Sequence, residues 1–92
     1  SNNMPLTKEE KTEIVGQFGK DGNDSGSAEV QIALFTKRIR QLTEHAKVHK
    51  KDHHTKRGLV QLVSQRKKML KYLVKTNPDS YVKTIKDLGI RG

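Results

Sequence analysis

The chain has no cysteine and no tryptophan, and only two prolines in its 92 residues. Without cysteine there is no disulfide, no thiolate metal ligand and no cysteine nucleophile. Hydrophobic residues make up only 32% of the chain, so this length supports one thin core and one small domain. No apolar run approaches the roughly 18–20 residues of a membrane span. No signal-peptide pattern is present, and the expectation is a soluble cytoplasmic protein with no membrane role. Ser1-Asn2-Asn3 ahead of Met4 reads as a cloning remnant, which leaves residues 4–92 as a single helical domain.

Acidic residues are scarce where basic ones are abundant. Residues 1–29 carry three Lys against six acids, a net of −3. Residues 30–75 carry thirteen Lys and Arg against only Glu44 and Asp52, a net of +11. Residues 76–92 add +1, giving the whole-chain charge of +9. A basic middle segment of this kind suits a phosphate backbone or an anionic membrane surface.

The periodicity is helical throughout, with no strand-like alternation and no internal repeat. "TKEE" at 7–10 forms a capping box, and Gly19 is a natural stop, so a first helix spans about 8–18. "GKDGNDSGS" at 19–27 is a glycine-rich loop. From Ser27 an apolar seam runs through Ala28, Ile32, Phe35, Ile39, Leu42 and Ala46, widened by Val30 and Leu34. A second long helix runs from about Thr55 to Lys75, with Asp52 as its expected N-cap. Asn77-Pro78 stops it and starts a last helix, in which Tyr81, Val82, Ile85 and Leu88 form one face and Gly89 is the end.

The expected fold is therefore all-α with four helices. Two long helices are joined by a short polar turn, and two short helices cover them. Short connections make sequential helices antiparallel neighbours. A turn near residues 50–52 then sets Gln31 near Tyr72 and His45 near Gly58. The ends of such a hairpin lie about 30 Å apart at 1.5 Å per residue.

All four histidines fall in "EHAKVHKKDHHTKRG" at 44–58. His45, His49 and His53 are spaced i, i+4, i+8, and i to i+8 is about 12 Å, too far to share one ion. Lys47, Lys50, Lys51, Lys56 and Arg57 would repel a dication. Catalysis needs a nucleophile or partner in a pocket, and a short interhelical turn offers little of one. Neither a metal, a cofactor nor a small-molecule substrate is expected, and the chain reads as non-enzymatic.

The informative residue is the lone acid. Asp52 gains nothing from phosphates, but it can accept from the guanine N2 amino group, the one base donor in a minor groove. The wide, shallow minor groove of A-form RNA also displays 2′-hydroxyls. A hairpin tip could place Asp52 on a guanine amino, with His45 and Thr55 on groove hydroxyls or base edges and lysines on flanking phosphates. The plain alternative is that Asp52 is only an N-cap. A second constellation is Tyr72 with Lys68 at i−4 and Lys75 at i+3. That ring suits an unstacked base or a ribose, or else it is a core-edge aromatic with its hydroxyl in water.

"NDSGSAEVQIAL" (23–34), "HKKDHHTKRGL" (49–59), "SQRKKMLKYL" (64–73) and "LGIRG" (88–92) closely resemble the bacterial S-fifteen family of small-subunit ribosomal proteins. The resemblance covers residues 4–92 and implies a bundle of two long antiparallel helices and one short helix, with a more mobile N-terminal helix. It implies a primary binder of the central domain of small-subunit ribosomal RNA, contacting a three-way junction and, about one turn away, a minor-groove G·U/G·C element. It also implies a role in ordering the junction for assembly and a place near the large-subunit interface of the ribosome. Carried over by position, His45, Asp52 and Thr55 meet the groove element. Ser25, Gly26, Gln31, Arg38 and Tyr72 meet the junction, with Lys50, Lys51, Arg57 and Lys68 as supporting phosphate contacts. Ser25 and Thr55 exchange Ser and Thr relative to common members, and Ala28 replaces a usual Thr. The free chain is expected to be a monomer. The competing reading from charge alone is a helical protein that coats DNA without sequence preference. A protein-interaction bundle with no nucleic-acid role sits poorly with the +11 segment.

Overall fold

Every helix starts on a side chain that caps a backbone N–H three residues ahead. Thr7 accepts from Glu10, Ser27 from Val30, Asp52 from Thr55 and Asn77 from Ser80. These contacts satisfy donors that the first helical turn leaves unpaired, and they mark four α-helices in a computed structural model that describes residues 6–20 and 26–91. They are α1 (Lys8–Phe18), α2 (Ala28–Val48), α3 (His53–Thr76) and α4 (Pro78–Leu88), and no strand occurs among the described residues.

The expected boundaries hold to within two residues. The capping box of α1 is complete, with the Thr7 N–H donating to Glu10 Oε1 at 3.0 Å and the Glu10 N–H to Thr7 Oγ1 at 3.1 Å. Helix α3 starts at His53 rather than Thr55, directly after its Asp52 cap. Gly89 adopts the left-handed φ of 64° that glycine tolerates best, and it closes α4 with its N–H turned back to Ile85 and Lys86. Gly19 also ends its helix, but with an extended backbone that any residue adopts.

Helices α2 and α3 pack along their length and α4 lies across both. The core centres on Ile32, Leu70 and Leu73, with Met69, Tyr81, Ile85 and Leu88 packed around them. Two polar ties cross the bundle. Arg66 Nη1 donates to Thr36 Oγ1 at 3.1 Å, and Arg40 Nη2 donates to the Leu88 carbonyl at 2.6 Å, covering an open carbonyl at the end of α4. The Ser80 hydroxyl donates to the Glu29 carboxylate, fixing the start of α4 to the start of α2.

Three details differ from the seam read off the sequence. Val30, which widens the seam as expected, is fully buried, and so is Ala33, which lies off it. They share a side of α2 with Lys37 and Gln41, and that side meets α1, where Gln41 Nε2 donates to Glu10 Oε2 at 3.3 Å and Lys37 lies 3.6 Å from the same oxygen. Val82 is exposed, because it falls about 100° around α4 from Tyr81. Val60 is exposed as well. Within α1 no residue is buried, and Leu6 just ahead of it is the anchor.

Candidate nucleic-acid interface

The hairpin tip is built from the inside out. The His49 N–H bonds the His45 carbonyl at 2.9 Å, and the Asp52 N–H bonds the His49 carbonyl at 3.0 Å, so the turn is closed by backbone alone. Asp52 then faces both helices. Its Oδ1 accepts from the Thr55 N–H at 3.1 Å, and its Oδ2 accepts from the Thr55 hydroxyl at 2.7 Å. His45 Nε2, from the last turn of α2, lies 3.1 Å from the same Oδ2.

The three residues expected at the groove element thus form one hydrogen-bonded cluster. The Thr55 hydroxyl, then the Thr55 N–H, hold the Asp52 carboxyl well below the ordinary carboxylate range, against the opposing effect of burial; His45 adds to the lowering. An ionised carboxylate only accepts, so His45 presents Nε2–H to it. Three of the roughly four acceptor sites of the carboxylate are occupied, and 13% of its side chain remains exposed. That leaves one acceptor position for an incoming donor. Thr55 is 3% exposed and its hydroxyl is engaged with Asp52. In this geometry it aims the carboxylate rather than reaching a groove itself. Lys50, Lys51, His53, Lys56 and Arg57 surround the tip and are exposed. The His45 and His49 rings stack at a centroid distance of 4.5 Å, and among the described residues no three His, Asp or Glu side chains converge as metal ligands.

The second region sits at the opposite end of the hairpin. Ser25 lies outside the described residues. Gly26 is exposed immediately before the Ser27 cap, and Gln31 is half-buried one turn into α2. Tyr72 is 58% exposed and is not part of the core, with exposed Lys68 and Lys75 a turn to either side. The ring is therefore a surface feature.

Arg38 is the residue that the structure sets apart from this group. It lies ten residues into α2, about 15 Å along the helix from Ala28, and lines a cleft of about 200 Å³ between α2 and α3. Leu42, His54, Gly58, Gln61 and Gln65 line the same cleft. Gly58 faces Leu42, one turn before the His45 expected there, while His45 turns to Asp52. Along α3 the positions 54, 58, 61, 65, 68 and 72 recur at helical spacing and form one stripe. His54 beside the tip, the cleft and Tyr72 thus lie along one side of α3. The middle of that face escaped sequence reasoning because glutamine and glycine carry no charge signal. The 3–4 spacing between His54 and Tyr72 was the available clue.

Related proteins place this arrangement. A family model described as Ribosomal protein S15 matches residues 11–91. Small ribosomal subunit protein uS15 of Dictyoglomus thermophilum is 54% identical over 88 residues, covering 96% of this chain and 99% of the relative. The protein of that name from Corynebacterium jeikeium is 57% identical over 88 residues, with the same coverage. That from Leptospira biflexa is 55% identical over 86 residues, covering 94% and 98%. Likeness at this level along nearly the whole of each sequence means that the chain belongs to the ribosomal protein S15 family.

Proposed function

We propose that this chain is a non-catalytic structural constituent of the small ribosomal subunit that binds the subunit's RNA at two elements about one A-form turn apart. Membership of the S15 family supports the ribosomal part. One observation supports the mode of binding: the helical hairpin carries the His45–Asp52–Thr55 cluster at one end and exposed Tyr72 at the other. The basic segment around them favours a polyanion.

In this reading the free acceptor position on Asp52 takes a guanine N2 amino group in the minor groove, and the His45 ring edge meets a 2′-hydroxyl or base edge. Thr55 holds the carboxylate in place. Ser25, Gly26, Gln31 and Tyr72 receive a three-way junction, Arg38 meets the RNA from the middle of the hairpin, and Lys50, Lys51, Arg57 and Lys68 neutralise phosphates without reading sequence. A protein that spans two features at fixed separation recognises RNA shape, and its binding orders the junction for later assembly. The test is a competition titration at fixed salt between a junction RNA carrying the G·U/G·C element and a duplex DNA of equal length. Strong preference for the junction RNA is expected. Equal binding with a steep salt dependence would replace this reading with a DNA-coating protein.

A further inference from the structure

Lys67 and Lys71 stand at i, i+4 on α3, a like-charge pair that weakens a helix, and neither RNA region described above uses them. Both side chains are exposed, and no ion pair among the described residues engages either. They lie on the far side of α3. At about 100° per residue, Lys67, Leu70 and Val74 fall about 140–180° around the helix from Gln65 in the cleft.

On that side α3 and α4 border a groove of about 470 Å³. Val63, Leu70, Val74 and Tyr81 give it an apolar lining, and Val74 is 42% exposed there. Arg66, Lys67, Lys71 and Arg91 supply four cations, and no carboxylate lines the groove. Arg66 is half-buried, with its guanidinium donating to the Thr36 hydroxyl rather than to an acid. Burial, and then the charge of Arg40 close by, push that guanidinium below its usual value. Positive charge is thus gathered around an apolar strip with no counter-ion from the chain itself. From Val63 to Val74 the strip runs about 16 Å along α3.

Such a groove selects a partner that is apolar along one stripe and acidic beside it. A nucleic-acid strand would meet the cations, but phosphates and riboses give the valines little to pack against. A flat bilayer does not follow a concave strip, and a small anion covers only part of four spread cations. An amphipathic helix of about three turns has the required length. Its apolar residues at i, i+4 and i+7 would cover the strip, and flanking Asp or Glu would face the lysines and arginines. We propose that the α3–α4 groove docks an acidic amphipathic helix of another protein. The site is independent of the RNA-binding reading and lies on the opposite side of α3 from the cleft, so both partners fit at once.

The probe is a fluorescent peptide of about 14 residues, about 21 Å long as a helix, made of Leu, Glu and Ala with leucine at i, i+4 and i+7. Its control has the same composition with the leucines spread around the helix. Titrated into the full chain and followed by anisotropy, the amphipathic peptide should bind about tenfold or more tighter than the control. Val74→Ser should weaken it by about tenfold, the order of one valine side chain buried on docking, with the helical circular-dichroism signal unchanged. Lys67→Glu combined with Lys71→Glu should abolish binding, and a peptide with lysine in place of glutamate should then bind that variant. Saturating duplex RNA should leave the peptide on the unaltered chain. Equal affinity for the control peptide, or no effect of Val74→Ser, would overturn the proposal by reducing the groove to unspecific charge. Displacement by duplex RNA would make this a nucleic-acid surface instead. A doubled mass in light scattering that Val74→Ser removes would give the groove to a second copy of the chain, and either result would overturn the assignment.

Discussion

Replacing Thr55 with valine isolates the interaction on which the tip depends. Valine matches threonine in shape but lacks the hydroxyl that donates to Asp52 Oδ2 at 2.7 Å. Thr55 is 3% exposed, so water does not replace the lost donor. A hydrogen bond to an ionised partner contributes about 1.5–3 kcal/mol. The backbone cap from the Thr55 N–H to Oδ1 survives, which keeps the loss within that range. For a domain of this size the thermal midpoint should fall by on the order of 10 °C. Thr55→Ser, which keeps the donor, should recover most of it.

The pH dependence has a definite sign. Hydrogen bonds from Thr55 depress the Asp52 carboxyl in the folded chain. Its contribution is thus complete above the unfolded value near 4 and disappears as pH falls below that value through the folded one. The gap between the unaltered chain and Thr55→Val should therefore be full at pH 7 and narrow steadily below about pH 4. Circular-dichroism melts of the three proteins across pH 2–7 measure it. A Thr55→Val variant within about 0.5 kcal/mol of the unaltered chain at pH 7, the range of an inconsequential surface change, would refute the role given to this hydroxyl.

Other outcomes follow from the same geometry. Asp52→Ala should weaken the cognate junction RNA by roughly ten- to hundredfold, the scale of one lost base contact, and leave a generic duplex nearly unaffected in the same titration. Tyr72→Ala should weaken junction RNA while the melting curve stays within about 0.5 kcal/mol, because the ring lies outside the core; collapse of the helical signal would instead place it in the core. Ile32→Ala empties a fully buried site at the centre of the core and should cost about 2–5 kcal/mol in denaturant unfolding. Amides of α1, which buries none of its own residues, should exchange with solvent faster than those of α2 and α3 in the RNA-free protein.

Much of this molecule is local in origin. Thr7, Asp52, Asn77 and Gly89 act on backbone groups three or four residues away, so they are legible in a short window. The apolar seam through Ile32 and Leu42 is legible for the same reason, since one helix face repeats every 3–4 residues. Ala33 is less so, because it lies outside that seam on the side of α2 that meets α1, an earlier stretch of chain. Val82 was grouped with Tyr81 by adjacency, although neighbours in a helix point about 100° apart.

At the candidate interface the sequence by itself singled out residues at the two ends of the hairpin. A lone acid among lysines and a tyrosine on a basic face are signals of composition and spacing. Only the tertiary structure decided how those residues are used. Packing α2 against α3 brings His45 onto the Asp52–Thr55 cap and so forms one cluster. The same packing sets Arg38 beside Gly58, Gln61 and Gln65 in mid-hairpin. These relations join residues of two different helices. Caps and seams are settled by bonds along the chain, whereas clusters and clefts exist only once two helices share a surface.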